Sequence, residues 1–177
     1  MPTLAETIDS IARHIGFPDA RLRTLARRLQ DADMLPSGAP GVPPVIEPRD
    51  ALALIVAAAS GATLRRAAES AVAYWELTPG GADVSDAPAT VAKSAGGYLS
   101  AIAAIAAEGE NWVRRLKIEI SRNFPGVAIH HEDDTVQWFQ PRGALSGHWG
   151  ATGHHDSVVI NGAAFADVFL ELFGVSK

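Results

Sequence analysis

The sequence predicts a mainly helical α+β protein that ends in a small three-stranded antiparallel sheet covered by a C-terminal helix. Alanine is abundant, and apolar residues recur at helical spacing as far as about Glu108. From Leu116 the pattern changes to alternating apolar and polar residues, which is typical of half-buried strands. The final segment returns to helical spacing, with Phe165, Phe169 and Phe173 on one face. Packing that helix on the sheet is the simplest way to bury both apolar surfaces.

The first two helices are predicted on either side of a short turn. Thr3 can cap a helix that runs to about Ile15, and Gly16 ends it. Pro18 suits the first turn of a second helix, because its missing N–H costs nothing there, and this helix runs to about Ala32. Its apolar face consists of Leu22, Leu25, Ala26 and Leu29.

Three further helices follow, separated by loops. Proline and glycine make Pro36 to Pro48 a loop. We expect helices at about Arg49–Ala59 and at about Leu64–Leu77, the second capped by Thr63. A linker rich in turn-forming residues, "TPGGADVSDAPAT", then precedes a helix at about Ala95–Glu108.

The strands are predicted in the last third of the chain. "RLKIEIS" alternates clearly, and "GVAIHHEDDTVQWF" indicates a hairpin around an acidic turn. "SVVI" is a third short strand, after which Asn161 caps the final helix. The domain prediction is therefore a helical domain at 1–78, a linker at 79–94 and an α+β domain at 95–177.

Composition excludes several classes of site. The chain has no cysteine, which excludes disulfides, cysteine-based zinc sites and thiol nucleophiles. Its start carries an early glutamate and no apolar core, and its longest apolar runs are too short to span a bilayer. We therefore expect a cytoplasmic protein with no membrane partner. The net charge of -5 does not argue against a local DNA-binding face, because the placement of the charges decides that.

Arginines are concentrated on the second predicted helix. Arg23, Thr24 and Arg27 lie opposite its apolar face, Arg21 and Arg28 flank them, and Arg13 lies just upstream. The planar guanidinium group suits phosphate and guanine because it makes two parallel hydrogen bonds. These six residues are the predicted nucleic-acid-binding residues. The alternative interpretation is a solvated helix face, since arginine also favours helix.

The segment "ARHIGFPDARLRTLARRLQDADML" carries a wider pattern. Ala12, Ile15, Gly16 and Phe17 have the spacing of a first helix and turn, followed by the apolar face of the second helix and by Met34-Leu35. The pattern resembles the helix-turn-helix of winged-helix DNA-binding proteins. The resemblance implies that the second helix contacts the major groove of double-stranded DNA.

The sequence also departs from that family. Pro18 replaces the usual capping serine or threonine, Arg21 the usual threonine, and Asp33 the glycine, although aspartate tolerates a left-handed conformation. The segment where a β-wing should follow lacks strand alternation. More loosely, "LPSGAPGVPPVIEPRDALALIVAAASG" resembles uncharacterised phage and prophage-like proteins of alphaproteobacteria, including proteins associated with gene transfer agents.

Histidines and acidic residues cluster near the end of the chain. His130, His131, His148, His154 and His155 lie close to four carboxylates. Their spacing matches no metal signature, and adjacent strand residues point to opposite faces, so we expect no metal and no other cofactor. Ser146 and His148 lack the strand–turn–helix setting of a hydrolase nucleophile, so we expect no enzyme.

The preferred hypothesis is a phage-type DNA-binding regulator. Two alternatives stay open, a small terminase-like packaging protein and a protein–protein adaptor that binds no DNA. We expect a homo-oligomer formed through the alanine-rich middle helices, where Tyr74, Trp75 and Tyr98 lie. Binding of a protein partner to the C-terminal α+β unit is a further hypothesis.

Overall fold

A computed structural model describes residues 1–39, 41–88, 90–144 and 153–174 of the chain. Within these ranges the fold is α+β, with six α-helices and one antiparallel sheet of five strands. The helices are α1 (Leu4–Ile15), α2 (Asp19–Asp31), α3 (Pro48–Ala59), α4 (Ala67–Trp75), α5 (Ala95–Ala107) and α6 (Gly162–Phe173). The strands are β1 (Thr78–Pro79), β2 (Lys117–Ser121), β3 (Val127–His130), β4 (Val136–Gln140) and β5 (Ser157–Asn161). Short 3-10 helices occupy Leu64–Arg66 and Asn111–Arg115.

The ends of α1 follow the predicted capping chemistry. The Thr3 hydroxyl accepts a hydrogen bond from the Glu6 amide, and the Glu6 carboxylate accepts one from the Thr3 amide, which forms a capping box. Gly16 ends the helix in the left-handed region at φ 87°. Pro18 is the N-cap of α2 rather than part of its first turn. Asp33 adopts the left-handed conformation at φ 56° that was expected for this position.

Thr63 and Asn161 are the N-cap residues of the 3-10 helix Leu64–Arg66 and of α6, but neither makes a side-chain capping hydrogen bond. The single helix expected from Leu64 is divided into a 3-10 turn and α4. Turns of 3-10 helix are frequent at the ends of α-helices.

The sheet has five strands in the described residues, not the three that were predicted. Its order is β1-β4-β3-β2-β5, and every pair is antiparallel. The hairpin segment supplies two strands, β3 and β4, beside β2 and β5. The fifth strand, β1, pairs Thr78 with Gln140 and Pro79 with Phe139. Proline has no amide hydrogen to donate. It is tolerated in β1 because an edge strand pairs with a neighbouring strand on one side only.

One apolar core joins the helices to the sheet. Ile118 and Ile129 pair on the buried face of the sheet, and the Tyr98 ring of α5 lies 5.4 Å from the Phe139 ring of β4. On α6, the rings of Phe165 and Phe169 are 4.7 Å apart and both are fully buried. This core is continuous from α1 to α6 and so crosses the predicted boundaries at 78 and 95. The predicted division into domains stays untested.

Helices α1 and α6 also meet through polar side chains. The Glu171 carboxylate of α6 accepts a hydrogen bond from the Ser10 hydroxyl at 3.0 Å and pairs with His14 Nε2 at 2.7 Å. Arg13 pairs with the same carboxylate. The exposed edge of this helix pair is therefore bridged by one acidic side chain and three donors.

The described part of the loop after α2 forms two isolated bridges, Thr3 with Val45 and Ala39 with Val42. The Ile46 amide also donates to the Pro2 carbonyl at 2.9 Å, which holds the loop against the start of α1. No strand of a β-wing occurs in the described part of this loop, which excludes Pro40. In the same described ranges, no helix is long and apolar enough to cross a membrane.

Candidate nucleic-acid interface

Helix α2 packs with one face and exposes the other. Leu22, Leu25 and Leu29 are fully buried, while Arg23, Thr24, Arg27 and Arg28 are exposed. This separation follows from the 3.6-residue period, because the leucines recur at three and four positions. We call the exposed surface, with Arg21 at its side, the α2 face.

Arg23 is already paired with two carboxylates. Its Nε lies 2.8 Å from Asp19 Oδ2, one turn earlier in α2, and its Nη2 lies 3.2 Å from Asp9 Oδ1 in α1. The hydrogen bond and the charge of Asp19 raise the pKa of Arg23. Thr24 donates its hydroxyl hydrogen to the Ala20 carbonyl at 2.8 Å. Two of the five N–H groups of Arg23 thus donate to carboxylates, and the others make no hydrogen bond with a described residue.

Arg13 and Arg21 have roles inside the fold. Arg13 bridges α1 to Glu171 of α6 and does not lie on the α2 face. Arg21 is half-buried, and its Nη2 donates to the Ala62 carbonyl at 3.0 Å. Arg13 is thus exposed but lies off the α2 face, and Arg21 lies half-buried at its edge.

The most available guanidinium groups lie toward the end of α2. Arg27 is exposed and has no hydrogen-bond or ion-pair partner among the described residues. Arg28 lies 3.5 Å from Asp31, a long contact between exposed groups, and shares a shallow groove with Arg65 and Leu64. The sequence analysis missed Arg65, although its position directly after the Thr63 turn could have suggested that it lies at a helix end beside α2.

Three histidines of the described part of the histidine-rich end contact polar side chains. His130 Nε2 lies 2.8 Å from Glu119 Oε2, and His155 Nδ1 lies 3.8 Å from the other oxygen of Glu119. His131 Nε2 instead contacts the Tyr98 hydroxyl at 3.3 Å. No group of three or more metal-ligating side chains is suitably arranged in the parts of the chain that the structure describes. Ser146 and His148 lie outside the described residues.

The aromatic residues expected at a subunit interface make contacts within the chain. Tyr74 is buried, and its hydroxyl donates to the carbonyls of Ser121 and Phe124. The Trp75 ring packs directly over Gly96 of α5, and Tyr98 packs on Phe139. Their presence therefore needs no partner subunit to explain it.

Comparison of the chain with known protein families, with curated proteins and with solved structures finds no match.

Proposed function

We propose that this chain is a phage-type regulator that binds double-stranded DNA through the α2 face, extended by Arg65. The observation that carries the proposal is the exposed guanidinium of Arg27, which has no partner among the described residues and lies one position before Arg28, which in turn shares a groove with Arg65. An exposed arginine without a carboxylate partner can pair with a phosphate without first breaking an ion pair. Such a regulator acts in the cytoplasm.

The paired arginines can join this interface at small cost. Exposed ion pairs contribute only about 0–1 kcal/mol each, so a phosphate can replace the carboxylate partner of Arg23 or Arg28. Arg27 should therefore contribute most, with Arg23 and Arg28 next. Arg13 and Arg21 support the interface by holding α1 and the Ala62 loop in place.

A homo-oligomer accords with this function. Helix-turn-helix proteins commonly bind as dimers, whose half-sites lie about 34 Å apart and whose affinities combine. A mass measurement in solution distinguishes a dimeric regulator from a ring-forming, terminase-like packaging protein.

An adaptor that binds an acidic protein is the second candidate. One observation favours it, since Asp9, Asp19 and Asp31 already lie against arginines of the α2 face, so carboxylates suit this surface.

A DNA titration at two salt concentrations tests the proposal. Replacing Arg27 with alanine should reduce the salt slope by about 1, because one phosphate contact is lost. If Arg27 contacts a base, affinity should also fall by about 1–3 kcal/mol. The matched control is Arg115→Ala, which removes the same charge from an exposed arginine just before β2. If the wild-type protein shows no salt-sensitive affinity for any duplex, the adaptor hypothesis replaces this one.

A further inference from the structure

A cleft of about 370 Å³ opens between the end of α3, the start of α4 and the turn that joins β2 to β3. We call it the α3–β2 cleft. Arg21, at the side of the α2 face, donates to the carbonyl of Ala62, a residue that lines the cleft. Its volume falls in the range of pockets that bind small molecules.

The wall formed by the β2–β3 turn is held in place from two sides. The buried Tyr74 hydroxyl donates its one hydrogen to the Ser121 carbonyl, and the Phe124 carbonyl shares it at 3.3 Å. Burial raises the pKa of Tyr74 to about 12, so the hydroxyl keeps its proton and remains a donor at neutral pH. Asn123 Nδ2 donates to the His154 carbonyl at 2.8 Å. The cleft is therefore pre-formed on this side, which reduces the entropy lost on binding.

Arg122 projects from this wall, and Gly61 makes room for it. Gly61 has φ +67°, and a Cβ on it would lie 3.2 Å from Arg122 Cδ. Arg122 Nε lies 3.4 Å from the Ala59 carbonyl, which orients the guanidinium. Its Nη1 is 3.9 Å from Asp156 Oδ1, beyond hydrogen-bond distance, and the side chain is 40% exposed. The outer edge of the guanidinium fork thus has no hydrogen-bond acceptor among the described residues.

A second cation and two hydroxyls face the same cleft. The Arg66 side chain is 70% exposed, and among the described residues its guanidinium bonds only to Glu69, through Nε at 3.2 Å. Thr63 and Ser70 line the cleft, and their hydroxyls make no hydrogen bond with any described residue. Two guanidinium groups and two hydroxyl donors therefore surround one opening.

Part of the remaining lining is apolar. Ala73, Phe124 and Pro125 line the cleft, together with the polar residues Ser60 and Asn123 and the Glu69 carboxylate that pairs with Arg66. The Phe124 ring is stacked with the His155 ring, with centroids 5.4 Å apart, so this ring has a defined orientation. A flat apolar group can lie against this part of the lining while its anionic end reaches the arginines.

We propose that the α3–β2 cleft binds a small phosphate monoester that carries a flat ring. Arg66 and Arg122 pair with the phosphate, because a guanidinium fork matches two phosphate oxygens. Thr63 and Ser70 donate to the remaining oxygens, and the ring packs on Phe124 and Pro125. This proposal does not depend on DNA binding by the α2 face.

Calorimetric titration of the full chain with phenyl phosphate tests the site. We expect one phenyl phosphate per chain, and weaker binding of inorganic phosphate, which lacks the ring. Arg66→Ala and Arg122→Lys should each weaken phenyl phosphate binding about tenfold or more, since each removes charged hydrogen bonds. Arg65→Ala is the matched control, because it removes the same charge from the same 3-10 helix but not from the cleft.

Three results would overturn the proposal. The first is no saturable binding of phenyl phosphate to the wild-type protein at millimolar concentration. The second is an equal loss of affinity in Arg65→Ala and Arg66→Ala, which would indicate general attraction by surface charge. The third is binding of duplex DNA by Arg66 and Arg122 without any binding of phenyl phosphate. The variant Arg27→Ala should keep full affinity for phenyl phosphate, so this site and the DNA interface can fail separately.

Discussion

Replacing Gly96 with alanine should destabilise the protein, although alanine is the better helix former. Gly96 lies in the first turn of α5, directly beneath the indole ring of Trp75. An added Cβ would lie 2.2 Å from Trp75 Cδ2 and 2.3 Å from Cε2. Carbon atoms in contact prefer about 3.5–4.0 Å, so the ring or the helix must move by more than about 1 Å.

The expected loss of stability is the difference between the cost of overpacking and the gain in helix propensity. Overpacking of this kind costs about 1–3 kcal/mol, whereas removing a helical glycine gains at most about 1 kcal/mol. The overpacking term should prevail, because the ring also packs against Arg49, whose Cζ is 5.2 Å from the ring centroid. Each kcal/mol lowers the melting temperature of a chain of this size by about 2–4 °C.

The assay is urea and thermal unfolding of two adjacent variants. Gly97→Ala is the control, because a Cβ there meets only Ser94 Oγ, at an ordinary 3.4 Å. We expect Gly97→Ala to be as stable as the wild-type protein or slightly more stable, and Gly96→Ala to be clearly less stable. If Gly96→Ala unfolds at the same urea concentration as the wild type, Trp75 does not pack on α5. Trp75 would then be available for a subunit interface after all.

Three further predictions concern single groups. Glu171→Gln should cost less than about 1 kcal/mol at pH 7, because the bridge between α1 and α6 is partly exposed. Desolvation raises the pKa of Glu171, but hydrogen bonds from His14 and Ser10 and the charge of Arg13 outweigh it and lower that pKa. The stabilisation by the Glu171 carboxylate is therefore present above the usual glutamate pKa and disappears as the pH falls through the lowered pKa. The free energies of unfolding of the wild type and the variant should therefore become equal at acid pH. Tyr74→Phe should cost about 1–2 kcal/mol through its lost hydrogen bonds. Because burial raises the pKa of Tyr74 to about 12, the stability that its neutral form provides is complete below the unfolded value and is lost as the pH rises through 12. Unfolding at pH 8 and at pH 11 should therefore show the wild type losing more stability than the variant. Finally, a chelator should leave the melting temperature unchanged, and purified untagged protein should contain well under one metal equivalent. A large drop in melting temperature on adding the chelator would show that the histidine-rich end does hold a metal.

Capping residues and apolar periodicity predicted the elements whose limits depend on residues near each other in the sequence. Thr3 with Glu6 and the left-handed Gly16 set the limits of α1, and each can be recognised from the sequence alone. The alternation of apolar and polar residues from Leu116 also predicts β2. It puts the apolar side chains on one face of the strand, and burial of that face sets the register with β3. By contrast, Thr78 and Pro79 carry no strand pattern. They pair with residues some sixty positions away, at Phe139 and Gln140, and a two-residue strand is too short for any periodicity.

The candidate site was predictable only in part, for the same reason. The exposure of Arg23, Arg27 and Arg28 follows from helical spacing. The pairing of Arg23 with Asp19 could also have been predicted, since the two are one helical turn apart. Its second partner, Asp9, belongs to another helix, so only the packing of α1 on α2 brings the two together. Arg65 likewise reaches the surface beside Arg28 through the fold and not through sequence spacing.

The packing of α1 on α6 sets the order in which this chain can complete its structure. Ser10 and Glu171, which bond across the two helices, are 161 positions apart. Contacts of such long range form late, because the entropy of closing the loop must be met before they contribute stability. During synthesis at about 5–20 residues per second, α1 would wait about 10–30 s for α6 to be made. Through that interval one side of α1 stays uncovered, so the nascent chain exposes an apolar surface that the finished protein does not have.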